Sequence, residues 1–327
     1  MQGFLHHRAH RRFTMPHDDL AMLPDEVSTH ARRAELIDLV SRFAPDDGVH
    51  PTAIAPLQLI RASAPAQSLP TVYEPGLWVV VQGRKQAMLA GEVFRYDPLH
   101  CLLISVTLPV LGQIVEASAA EPYLCVRLNL DPREVGALML EAGAPALPAV
   151  AAAAARGLSV SRITAPLLDA VTRLLRLLQT PGDVAVLAPL AVREIQYRVL
   201  QGDLGPRLRE LAVADSHSQR IARAIDLLKR RFAEPVRIDE VADAVHMSAS
   251  SLHHHFKLVT ALSPLQFQKH LRLHQARRLM LSEGLDATSA GHRVGYESPS
   301  QFSREYRRLF GAPPRAEIDQ MRSAVHG

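Results

Sequence analysis

Cysteine is scarce in this 327-residue chain: Cys101 and Cys125 are the whole supply. Two thiols cannot build a disulfide framework, and their rarity fits a reducing compartment. No apolar run approaches the ~20 residues that a membrane-spanning helix needs, and mean hydropathy is near zero. Aromatics make up 5% of the chain and tryptophan occurs once, at Trp78. The most informative shortage is histidine. Of 16 in the chain, only His100 lies between residues 51 and 216, and no His-x-His pair occurs there. A catalytic metal needs three or four protein ligands, so this half is expected to hold no metal and no cofactor. His253, His254 and His255 are consecutive. On a helix they point about 100° apart and cannot form a ligand set. The opening "HHRAHRR" is basic but has no apolar core behind it, which argues against a signal peptide. Residues 1–30 read as a disordered tail, with Met15 and Met22 as alternative starts.

What the chain does have is uneven charge and a repeat. Residues 217–327 carry 17 Lys/Arg against 11 Asp/Glu, a net +6, which leaves −2 for the remainder of a chain whose total is +4. A basic third of this kind suits a polyanion partner. The same third writes one pattern twice. Apolar Val241, Ala242 and Val245 precede Ser248, Leu252 and Phe256; Ala290, Gly291 and Val294 precede Ser298, Phe302 and Tyr306. Each copy reads as a helix-turn-helix. Ala242 and Gly291 would let two helices cross closely. Ser248 and Ser298 are N-caps by type and position. The i, i+4 pairs Leu252/Phe256 and Phe302/Tyr306 form apolar stripes. From Ser248 onward the copies are offset by a constant spacing; before it the offset is one residue shorter, with Gly295 read as the additional turn residue. The outward faces carry Ser250, Ser251, His253, His254 and Lys257 in one copy, and Ser300, Gln301, Arg304, Arg307 and Arg308 in the other. Arg304 suits a guanine edge and Gln301 an adenine edge. The first copy has only serines, histidines and Lys257, whose base contacts are weaker or depend on pH.

The segments "LHHHFK", "SPLQFQKHLRLHQARRLM" and "VGYESPSQFSREYRRLFGAPP", in this order over the last third of the chain, resemble the AraC/XylS family of bacterial transcription regulators. The resemblance implies double-stranded DNA as partner, read by two recognition helices in successive major grooves, and a bacterial cytoplasmic protein. It also implies an RNA polymerase contact if the protein is an activator.

Residues 51–130 switch to period two, with β-branched and aromatic residues. Leu77–Val81, Gln86–Leu89, Val93–Tyr96, Cys101–Thr107, Ile114–Ala117 and Tyr123–Leu130 read as strands, with a hairpin turn at Ala90-Gly91-Glu92. Along the last strand Leu124, Val126, Leu128 and Leu130 alternate with Tyr123, Cys125, Arg127 and Asn129, which predicts one buried and one open face. "YEPGLWVVVQGRKQAMLAGEVFRYDP", "LLISVTLPVLGQIVEAS" and "PYLCVRLNLD" are similar to the cupin-like N-terminal domain of one AraC subfamily, over roughly residues 35–145.

The expected fold class is therefore α+β: a cupin-like β-barrel with dimerisation helices, then an all-α domain of two helix-turn-helix units. By residue, 31–145 form the regulatory barrel, 146–201 a connector and dimerisation helices, 202–217 a linker and 218–327 the DNA-binding domain. Candidates for a small-molecule effector pocket inside the barrel are Tyr73, Trp78, Gln82, Tyr96 and Tyr123, each of which also reads as ordinary core. Arg84-Lys85 reads either as a solvated turn or as a partner for an acidic effector. Cys101 and Cys125 read as core thiols or as sensors of oxidants or electrophiles. The leucine-rich stretch Leu167–Leu178 and the helix after it supply a homodimer contact, or else pack on their own barrel. Two function classes stand side by side: a non-enzymatic, ligand-responsive DNA-binding regulator, and a cupin-type enzyme fused to a nucleic-acid module, against which the missing histidine pair weighs.

Overall fold

A computed structural model describes residues 24–66, 69–89, 91–98, 100–143, 156–212 and 216–326. Helix α1 (Pro24–Phe43) begins inside the stretch read as a disordered tail, which is helical over 24–30; residues 1–23 lie outside the described part. Ten strands follow: β1 (Gly48–Pro51), β2 (Leu57–Ala62), β3 (Leu69–Tyr73), β4 (Gly76–Gln82), β5 (Arg84–Leu89), β6 (Glu92–Tyr96), β7 (His100–Ile104), β8 (Leu108–Glu116), β9 (Tyr123–Asn129) and β10 (Leu158–Arg162). They form two antiparallel sheets, ordered β1-β2-β9-β4-β7-β10 and β3-β8-β5-β6. Of the connector expected to open the stretch 146–201, residues 146–155 lie outside the described part, and strand β10 follows, paired along β7 from Leu158↔Ile104 to Arg162↔His100.

The six-stranded sheet is covered on both sides, which corrects the expectation of one open face. Leu77, Val79, Val81, Leu124, Val126 and Leu128 pack under helices, whereas Trp78, Val80, Tyr123 and Cys125 face the second sheet. Tyr123 and Cys125 are both 0% exposed. A strand buried on both faces carries apolar residues at every position, as Leu77–Val81 does. The covering helices are α1, α2 (Pro132–Glu141), α3 (Ala165–Arg176), α4 (Val184–Gln201) and α5 (Gly205–Ala212). Helix α5 occupies half of the stretch 202–217 expected to be a linker. Its Leu208, and Leu204 just before it, belong to the core under the sheet, so this segment is packed structure.

Seven more helices complete the chain: α6 (His217–Arg230), α7 (Ile238–Ala244), α8 (Ala249–Thr260), α9 (Pro264–Ser282), α10 (Ala287–Arg293), α11 (Pro299–Phe310) and α12 (Pro314–His326). The serine caps form as expected: Ser248 accepts from Ser251 N at 3.2 Å and Ser298 from Gln301 N at 3.3 Å, each worth about 1 kcal/mol. The core of the first helix-turn-helix is continuous with the barrel interior, from Phe256 and Val259 to Val106 and Leu108. Gly157 sits where they meet: a Cβ there would lie 2.6 Å from Val106 and 3.3 Å from Val259. The second unit has its own core around Phe302 and Tyr306.

Candidate nucleic-acid interface and barrel interior

Helices α8 and α11 stand at equivalent places in the two repeats. Each is entered by a tight turn with left-handed backbone, at His246 (φ 55°) and Gly295 (φ 88°). Met247 N donates to Ala242 O and Tyr296 N to Gly291 O, so Gly295 matches His246, and the additional residue of the second turn is Glu297 instead of Gly295. Glycine is required at 295 for space as well as for φ, because a Cβ would lie 2.0 Å from Ala233 O. At Gly291 a Cβ would be 3.0 Å from the Phe302 ring, which explains the small residue at that helix crossing.

In α8, Leu252 and Phe256 are buried, while Ser250, His253, His254 and Lys257 are exposed and Ser251 is half-buried at the cap. His255 turns inward onto His217, ring centroids 3.9 Å apart, and burial followed by the neighbouring His217 and His254 lowers its pKa. In α11, Phe302 and Tyr306 are buried and Ser300, Arg304, Arg307 and Arg308 are exposed. Gln301 is half-buried and donates to Glu305 Oε1 at 3.3 Å. Glu305 also accepts from Lys269 and from the Tyr296 hydroxyl, each at 2.9 Å. Burial works against its charge, but these hydrogen bonds hold its carboxyl below the usual range. Gln301 is thus held within its own unit, whereas Arg304, Arg307 and Arg308 are exposed on this face.

The 19-residue helix α9, roughly 28 Å long at 1.5 Å per residue, carries the two units. Its Arg272 joins them, donating to Phe232 O (2.6 Å), Glu234 O (2.9 Å) and Gly295 O (3.0 Å). Sequence reading missed this residue because its partners are backbone carbonyls far along the chain, for which no side-chain pattern exists.

The barrel interior brings together four of the five pocket candidates. Tyr73 stacks on Trp78 at 4.8 Å, and the Tyr73 and Tyr96 hydroxyls lie 3.1 Å apart. Tyr123 is fully enclosed. Gln82 stands apart, its amide donating to Pro122 O at the end of β4. Lys85 is not in a turn: its ammonium lies 5.2, 5.6 and 5.7 Å from the ring centres of Tyr73, Trp78 and Tyr123. Arg84 pairs with Glu116. The Arg127 guanidinium covers Trp78 at 5.0 Å. Trp78 Nε1, the Tyr123 hydroxyl and Arg127 Nε are buried without a hydrogen-bond partner. Period two was the available signal, since Arg127 shares a strand face with Tyr123 and Cys125, and Lys85 with Ala87. Burial raises the Cys101 pKa to about 12 and that of Cys125 to about 11, which keeps both as thiols.

Leu168, Val171 and Leu175 of α3 lie in the protein's own core, so they cannot form the dimer contact considered for that stretch. Outward apolar residues stand on α4, where Val186 is 68% and Leu190 61% exposed. Among the described residues, no helix is long and apolar enough to cross a membrane.

Two family descriptions match this chain: the AraC-type transcriptional regulator N-terminus over residues 53–207, and a helix-turn-helix domain over residues 241–319. The HTH-type transcriptional activator RhaS of Salmonella schwarzengrund (strain CVM19633) is 30% identical over 164 residues, or 50% of this chain and 58% of the relative. This chain thus spans little more than half the length of such relatives. Unsaturated fatty acid-bound wild-type ToxT from Vibrio cholerae strain SCE256 is 9% identical with a TM-score of 0.54, covering 80% of this chain and 94% of that one. ToxT of Vibrio cholerae O395 bound to (E)-4-(8-methylnaphthalen-1-yl)but-3-enoic acid is 10% identical with the same TM-score, covering 80% and 97%. These likenesses concern the fold. With the barrel, the covering helices and the paired helix-turn-helix units matched in order, this chain belongs to the AraC/XylS family of transcription regulators.

Proposed function

We propose that the protein is a ligand-responsive regulator that binds double-stranded DNA through α8 and α11 and holds its effector in the barrel, which we assign as cupin-like. The observation that carries the DNA reading is the pair of equivalent helices fixed on α9, one of them offering exposed Arg304, Arg307 and Arg308. The second unit supplies base readout through Arg304. The first contributes Lys257 and the serine and histidine face, which favours backbone positioning. We divide the chain between α5 and α6, with 24–212 regulatory and the part from 216 onward DNA-binding.

For the effector, Trp78 Nε1 and Arg127 Nε are unpaired donors, and Lys85 lies within a ring of three aromatics. Such a lining favours a planar, acceptor-rich molecule. A homodimer forms through the outward face of α4, beside a groove of about 570 Å³ that Ala53, Pro56, Ala137 and Ala188 line. The protein works in the bacterial cytoplasm and contacts RNA polymerase if it activates.

The test is selection of bound sequences from a random duplex library, followed by anisotropy titration with and without candidate effectors. Absence of any sequence enriched over random DNA would refute the reading.

A further inference from the structure

Helices α9 and α11 open on the same four-residue signature, Ser263-Pro264-Leu265-Gln266 and Ser298-Pro299-Ser300-Gln301. A serine N-cap with a glutamine three residues on is the sequence of a capping box, in which each side chain bonds the backbone N–H of the other residue. In α9 the box closes: Ser263 Oγ accepts from Gln266 N at 3.3 Å, and Gln266 Oε1 accepts from Ser263 N at 3.0 Å. In α11 the serine half forms, with Ser298 Oγ accepting from Gln301 N at 3.3 Å, and the glutamine half does not. The Gln301 amide runs forward along the helix instead and donates to Glu305 Oε1 at 3.3 Å. The cause is the residue four places on, which shares the glutamine's face of the helix. It is His270 in α9 and Glu305 in α11. Glu305 is fixed from two other elements, accepting from Lys269 of α9 and from the Tyr296 hydroxyl in the turn before α11, each at 2.9 Å. Burial works against its charge, but the bonds from Lys269, Tyr296 and Gln301 keep it ionised at neutral pH. An ionised carboxylate accepts hydrogen bonds and donates none.

We propose that Glu305 is a positioning residue for base readout: it draws Gln301 out of the helix cap and fixes its amide with the carbonyl oxygen and the second N–H turned together toward the major groove. A primary amide has two N–H groups and one carbonyl oxygen. With one N–H spent on the carboxylate, the other N–H and Oε1 form the free edge, the pair that adenine meets with N7 and N6. Reversing the amide would set its oxygen against the carboxylate, acceptor against acceptor, so the opposite pattern is closed. A glutamine held in a capping box would spend its oxygen on the backbone and offer N–H groups alone, which suit the two acceptors of guanine. Gln301 and Arg304 are i, i+3 neighbours on α11, so the adenine stands beside the guanine edge that Arg304 suits. Specificity at this base pair is thus set by a side chain that touches no base. The proposal rests on the reading of α11 as a recognition helix.

The experiment uses the full chain and a duplex selected from the random library, with all four base pairs placed in turn at each position and affinities read by anisotropy competition. Gln301→Ala is expected to relax one pair, at which the unaltered protein favours adenine over guanine by at least about fivefold. Glu305→Gln, whose neutral amide donates as well as accepts, should lose at least about threefold of that ratio at the same pair and at no other. Removing a negative charge beside DNA raises affinity for every sequence alike, so the ratio between duplexes is the readout, and a general disturbance of α11 would move other pairs as well. In the Gln301→Ala background Glu305→Gln should leave the ratio unaltered, because no amide remains to be held. Unfolding midpoints show which variants are folded; if Glu305→Gln is not, Glu305→Asp, which withdraws the carboxylate by one methylene, is read in the same way. Guanine favoured at the pair that Gln301 reads, an unaltered adenine preference in the Glu305 variant, or equal losses with and without the Gln301 side chain would overturn the proposal. Arg304→Ala locates a failure: one pair relaxed by Arg304→Ala and none by Gln301→Ala removes this proposal and keeps α11 as the reader, whereas no pair relaxed by either removes both.

Discussion

Arg272→Met tests whether one side chain on α9 sets the relative orientation of the two DNA-binding units. Methionine keeps an unbranched apolar stem and removes three hydrogen bonds, to Phe232 O, Glu234 O and Gly295 O. Those bonds should not be summed. Gln268 Nε2 also donates to Phe232 O at 3.2 Å and Glu234 O at 2.9 Å, so these two carbonyls keep a partner. Gly295 O loses its bond from Arg272, and so does the contact of the guanidinium with the Tyr296 ring at 5.9 Å. A charge-assisted hydrogen bond is worth about 1.5–3 kcal/mol and an exposed cation–π contact about 0.5–1 kcal/mol, giving a loss of about 2–4 kcal/mol. For a cooperative unit of 150–250 residues that lowers Tm by roughly 4–16 °C. Differential scanning calorimetry of the full chain reads the stability. Anisotropy on a selected operator reads the function: affinity for an operator that engages both grooves should fall by more than affinity for random DNA. An unchanged Tm with unchanged operator preference would refute the assignment of Arg272 as the orienting residue.

Arg304→Ala should cost about 1–3 kcal/mol on the operator and relax preference at one base pair, whereas Arg307→Ala should weaken all sequences alike and flatten the salt slope by about one unit; competition titrations at several salt concentrations separate the two. Leu190→Glu puts a charge on the outward face of α4 and should give a folded monomer by sedimentation, while an unaltered dimer would move the interface elsewhere. Gly295→Ala forces a Cβ toward Ala233 O in left-handed backbone and should cost about 1–3 kcal/mol or more, measured by denaturant unfolding. His274 is held by burial at a pKa of about 3 against 6.5 unfolded, with Arg277 and Arg308 the charged groups and His270 the titratable neighbour around it. The unfolded chain therefore binds the extra proton between those values: the stabilisation is complete above about pH 6.5 and is lost as pH falls toward 3, at up to about 1.4 kcal/mol per pH unit. His274→Phe should flatten that part of the stability–pH curve, and an unchanged slope would sink the attribution.

The sequence by itself determined what depends on local periodicity. The stripes Leu252/Phe256 and Phe302/Tyr306, the caps at Ser248 and Ser298 and the small residues at 242 and 291 follow from spacing along a helix, and all stand where the repeat placed them. It also determined which positions of one strand share a face, as Tyr123 and Cys125 do, whereas the gathering of Tyr73, Trp78, Tyr96 and Tyr123 from four strands is decided by how the sheets pack. Other features required tertiary structure. Alternation in Tyr123–Asn129 says that two faces exist; only the second sheet makes both of them buried. The leucines of α3 and α4 look alike in sequence, and which of them meet solvent depends on the side from which α1 and the sheet cover them. Gly202, Gly205 and Pro206 suggested a linker. Local composition cannot report that Leu204 and Leu208 find partners more than sixty residues away in the chain, in Val135 and Leu138 and in the sheet. The inward turn of Lys85 and the bridging bonds of Arg272 share that cause: each is made by residues distant in sequence, and burial with its electrostatic consequences exists only once they are assembled.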